Sequence, residues 1–204
     1  MASEPAKKPK SPILGMAVAL ATTLAVASSY LAATSNVLAS ADSRQGFVYL
    51  TDSNTQQIEA NQILVRDDNL LVQADFAEFL GDNSLAIELR MKTVAFRLGY
   101  IDEFGNGTAA YGGDFDVARE AYINDTYRSS RENRTAADAA FERAREAGLR
   151  GLGLLLGTVL LAVCALLGIF GNSLEHGRAR RLLMIFVLVL LAVTVGYITY
   201  TALS

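Results

Sequence analysis

The residues best placed by type and spacing to do chemistry in this 204-residue chain gather around one glycine-rich stretch. Residues 99–113 hold five glycines with Tyr100, Phe104 and Tyr111, and Asp102, Glu103, Asp114 and Asp116 surround them. Acids among glycines suggest a calcium loop. An EF-hand-type loop begun at Asp102, however, would put Phe104, Ala110 and Gly113 at its third, ninth and twelfth positions, where oxygen ligands are needed. A phosphate cradle needs Gly-Lys-Ser/Thr, and no lysine occurs there. The stretch reads as an irregular connecting loop.

The other candidates lead no further. The single cysteine, Cys164, lies in an apolar run that would raise a thiol's pKa and leave it inert, and the single histidine, His176, stands among arginines. One of each cannot form an internal disulfide or a histidine cluster for zinc. No Ser, Thr or Cys has a convincing base beside it, and dispersed carboxylates supply accidental pairs. The expectation is therefore no catalytic residue, no cofactor and no metal, in a protein that is not an enzyme. Three sequons, Asn106-Gly107-Thr108, Asn124-Asp125-Thr126 and Asn133-Arg134-Thr135, mark Asn106, Asn124 and Asn133 as possible glycosylation sites.

The elements that would carry these residues are dominated by apolar sequence: 51% of residues are hydrophobic and 19% charged, a balance that points to a membrane. A net charge of −3 gives no support to a nucleic-acid partner. Residues 13–33 contain no Asp, Glu, Lys, Arg or His and, at the helical rise, extend about 31 Å, close to the hydrocarbon thickness. Residues 151–170 and 182–200 meet the same test. The fold expected is mainly α, with three transmembrane helices over 13–35, 149–171 and 182–202 and a helical segment, 36–148, between the first and second. Lys7, Lys8 and Lys10 followed by Ala39-Ser40-Ala41 also resemble a secretory signal, but the apolar region is longer than such signals use, so an uncleaved anchor is expected.

Short loops keep their cations on the cytoplasmic side. Lys7, Lys8 and Lys10 in the amino-terminal tail, 1–12, and Arg178, Arg180 and Arg181 in the connector, 172–181, place both inside, leaving 36–148 and Ser204 outside a multi-pass cell-membrane protein. Arg143, Arg145 and Arg150 pull the other way. Between Asp42 and Arg150 nineteen acids face twelve bases, a balance of −7 that favours a solvated segment.

Within that segment the apolar spacing predicts helices over 47–65, into which the first span can continue, 69–80, closed by Gly81, and 84–98, where residues 87–92 also alternate as a half-buried strand would. A fourth starts at an Asp114 cap, and a fifth starts at Thr135 and runs toward the second span. Inside the membrane the positive signal is packing. Ala17, Ala21, Ala25, Ser29 and Ala33 recur every four residues, and Gly153 with Gly157 and Ala192 with Gly196 do the same, a spacing that lets helix backbones approach closely. These ladders serve either the three helices of one chain or a second protein. The apolar runs 13–33, 151–170 and 182–200 carry no Asp, Glu, Lys, Arg or His and no internal proline, which disfavours transport.

Arg143-Ala144-Arg145-Glu146 leading into residues 151–170, then Arg178-Ala179-Arg180-Arg181 before the last span, resembles a family of small bacterial three-span membrane proteins known only as a domain of unknown function. The resemblance is architectural and implies no activity or catalytic residues. The function expected is a non-enzymatic integral membrane protein, a homo-oligomer or an accessory subunit of a membrane complex, in contact with the lipid bilayer. The alternatives are a membrane-anchored sensor or ligand-binding module using residues 99–113, and an oligomeric channel.

Overall fold

The computed structural model describes residues 12–174 and 177–203. Lys7, Lys8, Lys10, His176 and Ser204, on which parts of the topology reading rest, lie outside the described residues. The chain is mainly helical, and among the described residues there is no strand, only one isolated bridge between Ile101 and Gly107. Among the described residues six α-helices follow in order: α1 (Pro12–Phe79), α2 (Asn83–Met91), α3 (Val94–Arg97), α4 (Phe115–Thr126), α5 (Arg128–Ser173) and α6 (Arg178–Leu203). Of these, α1, α5 and α6 are long and apolar enough to cross a membrane.

The chain divides into two compact units. One takes residues 12–43 of α1, α5 from Phe141 and all of α6; the other is Arg44–Ala140. In the first unit Ala17, Ala21, Leu161, Cys164, Val187 and Leu191 form the core. Glycines permit the close approach: a Cβ at Gly157 would collide with Ile198, one at Gly168 would lie 2.6 Å from Val18 and one at Gly153 2.7 Å from Thr201. Ser28 adds a hydroxyl donated to the Leu154 carbonyl at 2.8 Å, satisfying its own polar group within the helix pair.

The small-residue ladders are only partly used inside the chain. Ala17 and Ala21 are buried and Ala25 half-buried, but Ser29 and Ala33 are exposed, and burial passes instead to Ser28, Ala32 and Ser35. The reason is geometric. A step of four residues overshoots a helical turn by about 40°, so a four-residue ladder walks around the helix, whereas alternating steps of three and four stay facing a partner. Gly157 is buried and Gly153 half-buried against α6. In α6 itself Ala192 and Gly196 are exposed, and the inward positions are Val187, Leu191 and Thr194.

In the second unit α1 pairs with α5 through small side chains. Gly46, Ser53, Ala60, Asp67 and Ala74 of α1 are buried at intervals of seven, as are Ser130 and Ala137 of α5. Ser53 and Ser130 donate to each other's carbonyls, at 2.8 and 3.0 Å. The helices expected over 47–65 and 69–80 are one continuous α1, and the apolar residues that suggested the first of them, Phe47, Ile58 and Val65, face outward. Gly81 does close the helix, with φ +84° and a bond from Asp82 N–H to the Ala77 carbonyl. The expected helix at 84–98 is split into α2 and α3, because Thr93 takes an extended conformation and its hydroxyl accepts from Phe96 N–H. Asp114 caps α4 as expected, accepting from the N–H groups of Asp116 and Val117. Thr135 starts no helix; it sits inside α5 with its hydroxyl donated to the Arg131 carbonyl.

These contacts predict opposite outcomes for two glycines that share a ladder spacing. Gly157→Val should destabilise the first unit by about 1–3 kcal/mol through overpacking against Ile198. Gly196→Val, where an added Cβ meets nothing within 4 Å, should change stability by less than about 0.5 kcal/mol. Denaturant unfolding in detergent micelles measures both, and equal losses would contradict this packing.

Candidate functional site

The most heavily engaged polar group of the second unit is the carboxylate of Asp67, a residue only 2% exposed on the inward face of α1. Its Oδ2 accepts three hydrogen bonds, from the backbone N–H groups of Val94 at 2.7 Å and Ala95 at 3.0 Å and from the Tyr122 hydroxyl at 2.8 Å. The first two are orphan donors at the start of α3, so the carboxylate stabilises the break that separates α3 from α2. The third ties α4 to the same point. Its Oδ1, equally buried, has no hydrogen-bond partner among the described residues.

Aromatic rings surround this node. Tyr100 stacks on Tyr111 with centroids 5.5 Å apart and meets Tyr122 at 5.2 Å and a tilt of 49°. Its hydroxyl donates to Asp125 at 2.7 Å. Burial, followed by that bond to a carboxylate, pushes the Tyr100 phenol up to about 12 from its usual 10.0. Burial and the bond to Asp67 push Tyr122 upward as well. A cavity of about 60 Å³ lies here, lined by Leu64, Asp67, Leu71, Ala95, Tyr100, Phe115, Ala118 and Tyr122 among others, with the Asp68 and Arg119 pair, 3.2 Å apart, on its wall.

A second node is formed by Arg90, 6% exposed, whose Nη2 reaches Asp75 at 3.0 Å and Glu78 at 2.5 Å. Burial pulls its pKa down, but the two carboxylates outweigh that and leave it raised. Gly105, at φ +84°, brings the loop backbone onto the guanidinium: an added Cβ would stand 3.1 Å from Nε. The glycine-rich loop is thus built for packing on its own unit. Asp102 spends Oδ1 on the N–H groups of Phe104 and Asn106, both at 2.9 Å, and a Cβ on Gly107 would run into the Asp114 carbonyl.

The three sequon asparagines are dispersed. Asn106 is exposed in the loop, Asn124 lies in α4 with its side-chain oxygen taken by Arg131, and Asn133 lies in α5 and donates to Gln56 at 3.0 Å. Cys164 is buried in the core of the first unit. No group of three metal-ligating side chains comes together among the described residues. Sequence reasoning passed over Asp67, Tyr122 and Arg90. One signal for Asp67 was present: it stands in a series of small residues at intervals of seven, where an acid has to be buried.

Two measurements follow. For a tyrosine whose pKa is raised by folding, the stabilising neutral form is complete below the unfolded value near 10 and is lost as pH climbs through about 12. The second unit should therefore keep its near-ultraviolet tyrosine dichroism to pH 10 and lose it on the way to about 12, and Tyr100→Phe should make that loss shallower while costing about 1 kcal/mol at neutral pH. A pH profile of Tyr100→Phe no different from that of the unaltered chain would refute it. Separately, Asp67→Ala strips three donors of their acceptor and should destabilise the second unit by about 3–5 kcal/mol, measured by denaturant unfolding; a loss below about 1 kcal/mol would show that the node is dispensable.

Comparison with protein families, with curated proteins and with solved structures gives no match for this chain, so the resemblance to small bacterial three-span proteins rests on the sequence pattern.

Proposed function

We propose that this chain is a self-associating integral membrane protein, anchored by α1, α5 and α6, that pairs with a second copy through the outward face of α1 in its Arg44–Ala140 unit. One observation carries this reading. Opposite the face that packs on α5, Ile58, Val65, Val72, Phe76 and Phe79 are 58, 61, 67, 62 and 84% exposed. With the exposed Gln62 and Asn69 they advance by alternating steps of four and three, the spacing of a coiled-coil seam. Apolar side chains in such a row, in a segment that also carries Asp52, Glu59 and Arg66, are suited to a protein partner rather than to lipid.

A second copy is the occupant that the seam's chemistry fits. Two copies inserted the same way round in one membrane present α1 in parallel, with equivalent residues facing each other across a two-fold axis. Asn69 then occupies the type of position at which a buried polar side chain selects pairing and register. In that arrangement Asn61 flanks Arg66 of the other copy and Asp68 flanks Gln73, so no like charges meet. Asp68 and Asp75 are further compensated within the chain by Arg119 and Arg90.

The sidedness proposed puts this unit outside and the turn bearing Arg178, Arg180 and Arg181 inside. Arg143 and Arg145 close the long 36–148 segment, and segments of that length translocate largely regardless of their charge, so these cations weigh little against the proposed orientation. Exposed leucines and valines on the outward faces of α5 and α6, such as Leu152, Val159, Leu166 and Val189, support contact with lipid there.

Cysteine crosslinking in isolated membranes tests the pairing. In a Cys164→Ala background, Ile58→Cys and Val65→Cys should each give disulfide-linked pairs, and the exposed Gln57→Cys, off the seam, should give few. If Val65→Cys links no better than Gln57→Cys, the seam is not an interface between copies.

A further inference from the structure

We propose that the cavity beside Asp67 is a binding site for a small primary ammonium ion with a short apolar tail. The argument starts from the imbalance at the carboxylate. Asp67 is buried without an ion-pairing cation among the described residues: its Oδ2 is held by two backbone N–H groups and a phenol, and its Oδ1 accepts nothing. A buried carboxylate oxygen left without a donor is costly, and a group that brings both a donor and a positive charge relieves that cost most.

The surroundings select the rest of the ligand. Asp67 lines the cavity, and most of the remaining wall is apolar or aromatic, including Leu64, Leu71, Phe115 and Tyr122. Rings favour a cation close to their faces, and aliphatic walls favour a hydrocarbon tail. The Asp68 and Arg119 pair on the wall is internally neutral, so the uncompensated charge in the pocket is that of Asp67. A volume of about 60 Å³ holds roughly four to six non-hydrogen atoms at the space one water requires. An ammonium with a chain of about four carbons matches that volume, and a bulkier polyamine or a nucleoside does not. Because Oδ1 is covered, a neighbouring side chain must shift for the ammonium to reach it.

Butylammonium and the neutral 1-butanol, titrated by calorimetry into the full chain in detergent micelles, test this. The ammonium should bind at least about tenfold more tightly than the alcohol, and Asp67→Asn, which keeps an acceptor for Val94, Ala95 and Tyr122, should abolish that preference. Ala118→Val, which fills the cavity and leaves the carboxylate in place, should weaken both ligands; it stands in for Asp67→Asn if that variant does not fold. Equal affinity for ammonium and alcohol, or an ammonium preference that survives Asp67→Asn, would overturn the assignment. Crosslinking on the outer seam of α1 is a separate readout, so the two proposals fail independently.

Discussion

Close approach of long helices through small side chains is the constraint on which the rest of this structure depends. In the second unit Gly46, Ser53, Ala60 and Ala74 of α1 and Ser130 and Ala137 of α5 are buried at intervals of seven or fourteen, and none projects far enough to hold the backbones apart. In the first unit the buried Ala21 and Ser28 of α1 and Gly157 and Gly168 of α5 also leave room for close approach. Such packing gains little from apolar area per residue and much from dispersion between backbones at short range. It also leaves hydroxyls needing partners, which Ser28, Ser53 and Ser130 find on carbonyls of the facing helix.

Where that repeat meets Asp67, the helix pair acquires a different task. A carboxylate at a position otherwise given to small residues has to be satisfied internally, and it is satisfied by the start of α3 and the hydroxyl of α4. The irregular segment after α1 is therefore organised around a charge set beside a hydrophobic cluster of Ala95, Tyr100, Ile101 and Tyr122. Tyr100, Tyr111 and Tyr122 bring their rings together there, each buried or half-buried. Arg90 with Asp75 and Glu78 plays a similar part for α2 and the glycine-rich loop.

Several features were legible in the residues before any coordinates. Local chemistry decided them: Gly81 tolerates the left-handed conformation that ends α1, and Asp114 caps α4 whatever surrounds it. The split between α2 and α3 was not legible, because Leu, Glu, Arg and Met favour an unbroken helix and the competing acceptor, Asp67, stands 27 residues away in sequence from Val94. Which part of the ladder in the first span packs within the chain was not legible for a related reason: small residues carry no hydrophobic signal, so their spacing alone does not say which face a helix buries.

Composition and run length by themselves determined that this chain is helical and has three segments able to cross a membrane, since an uncharged apolar stretch of that length has few other ways to satisfy its backbone. Tertiary structure alone decided which small residues meet, that Ile58, Val65 and Val72 face outward, and that one acid of nineteen in the intervening segment is buried. Those outcomes depend on contacts between residues far apart in the chain, and the energies of such contacts are written in no single stretch of sequence.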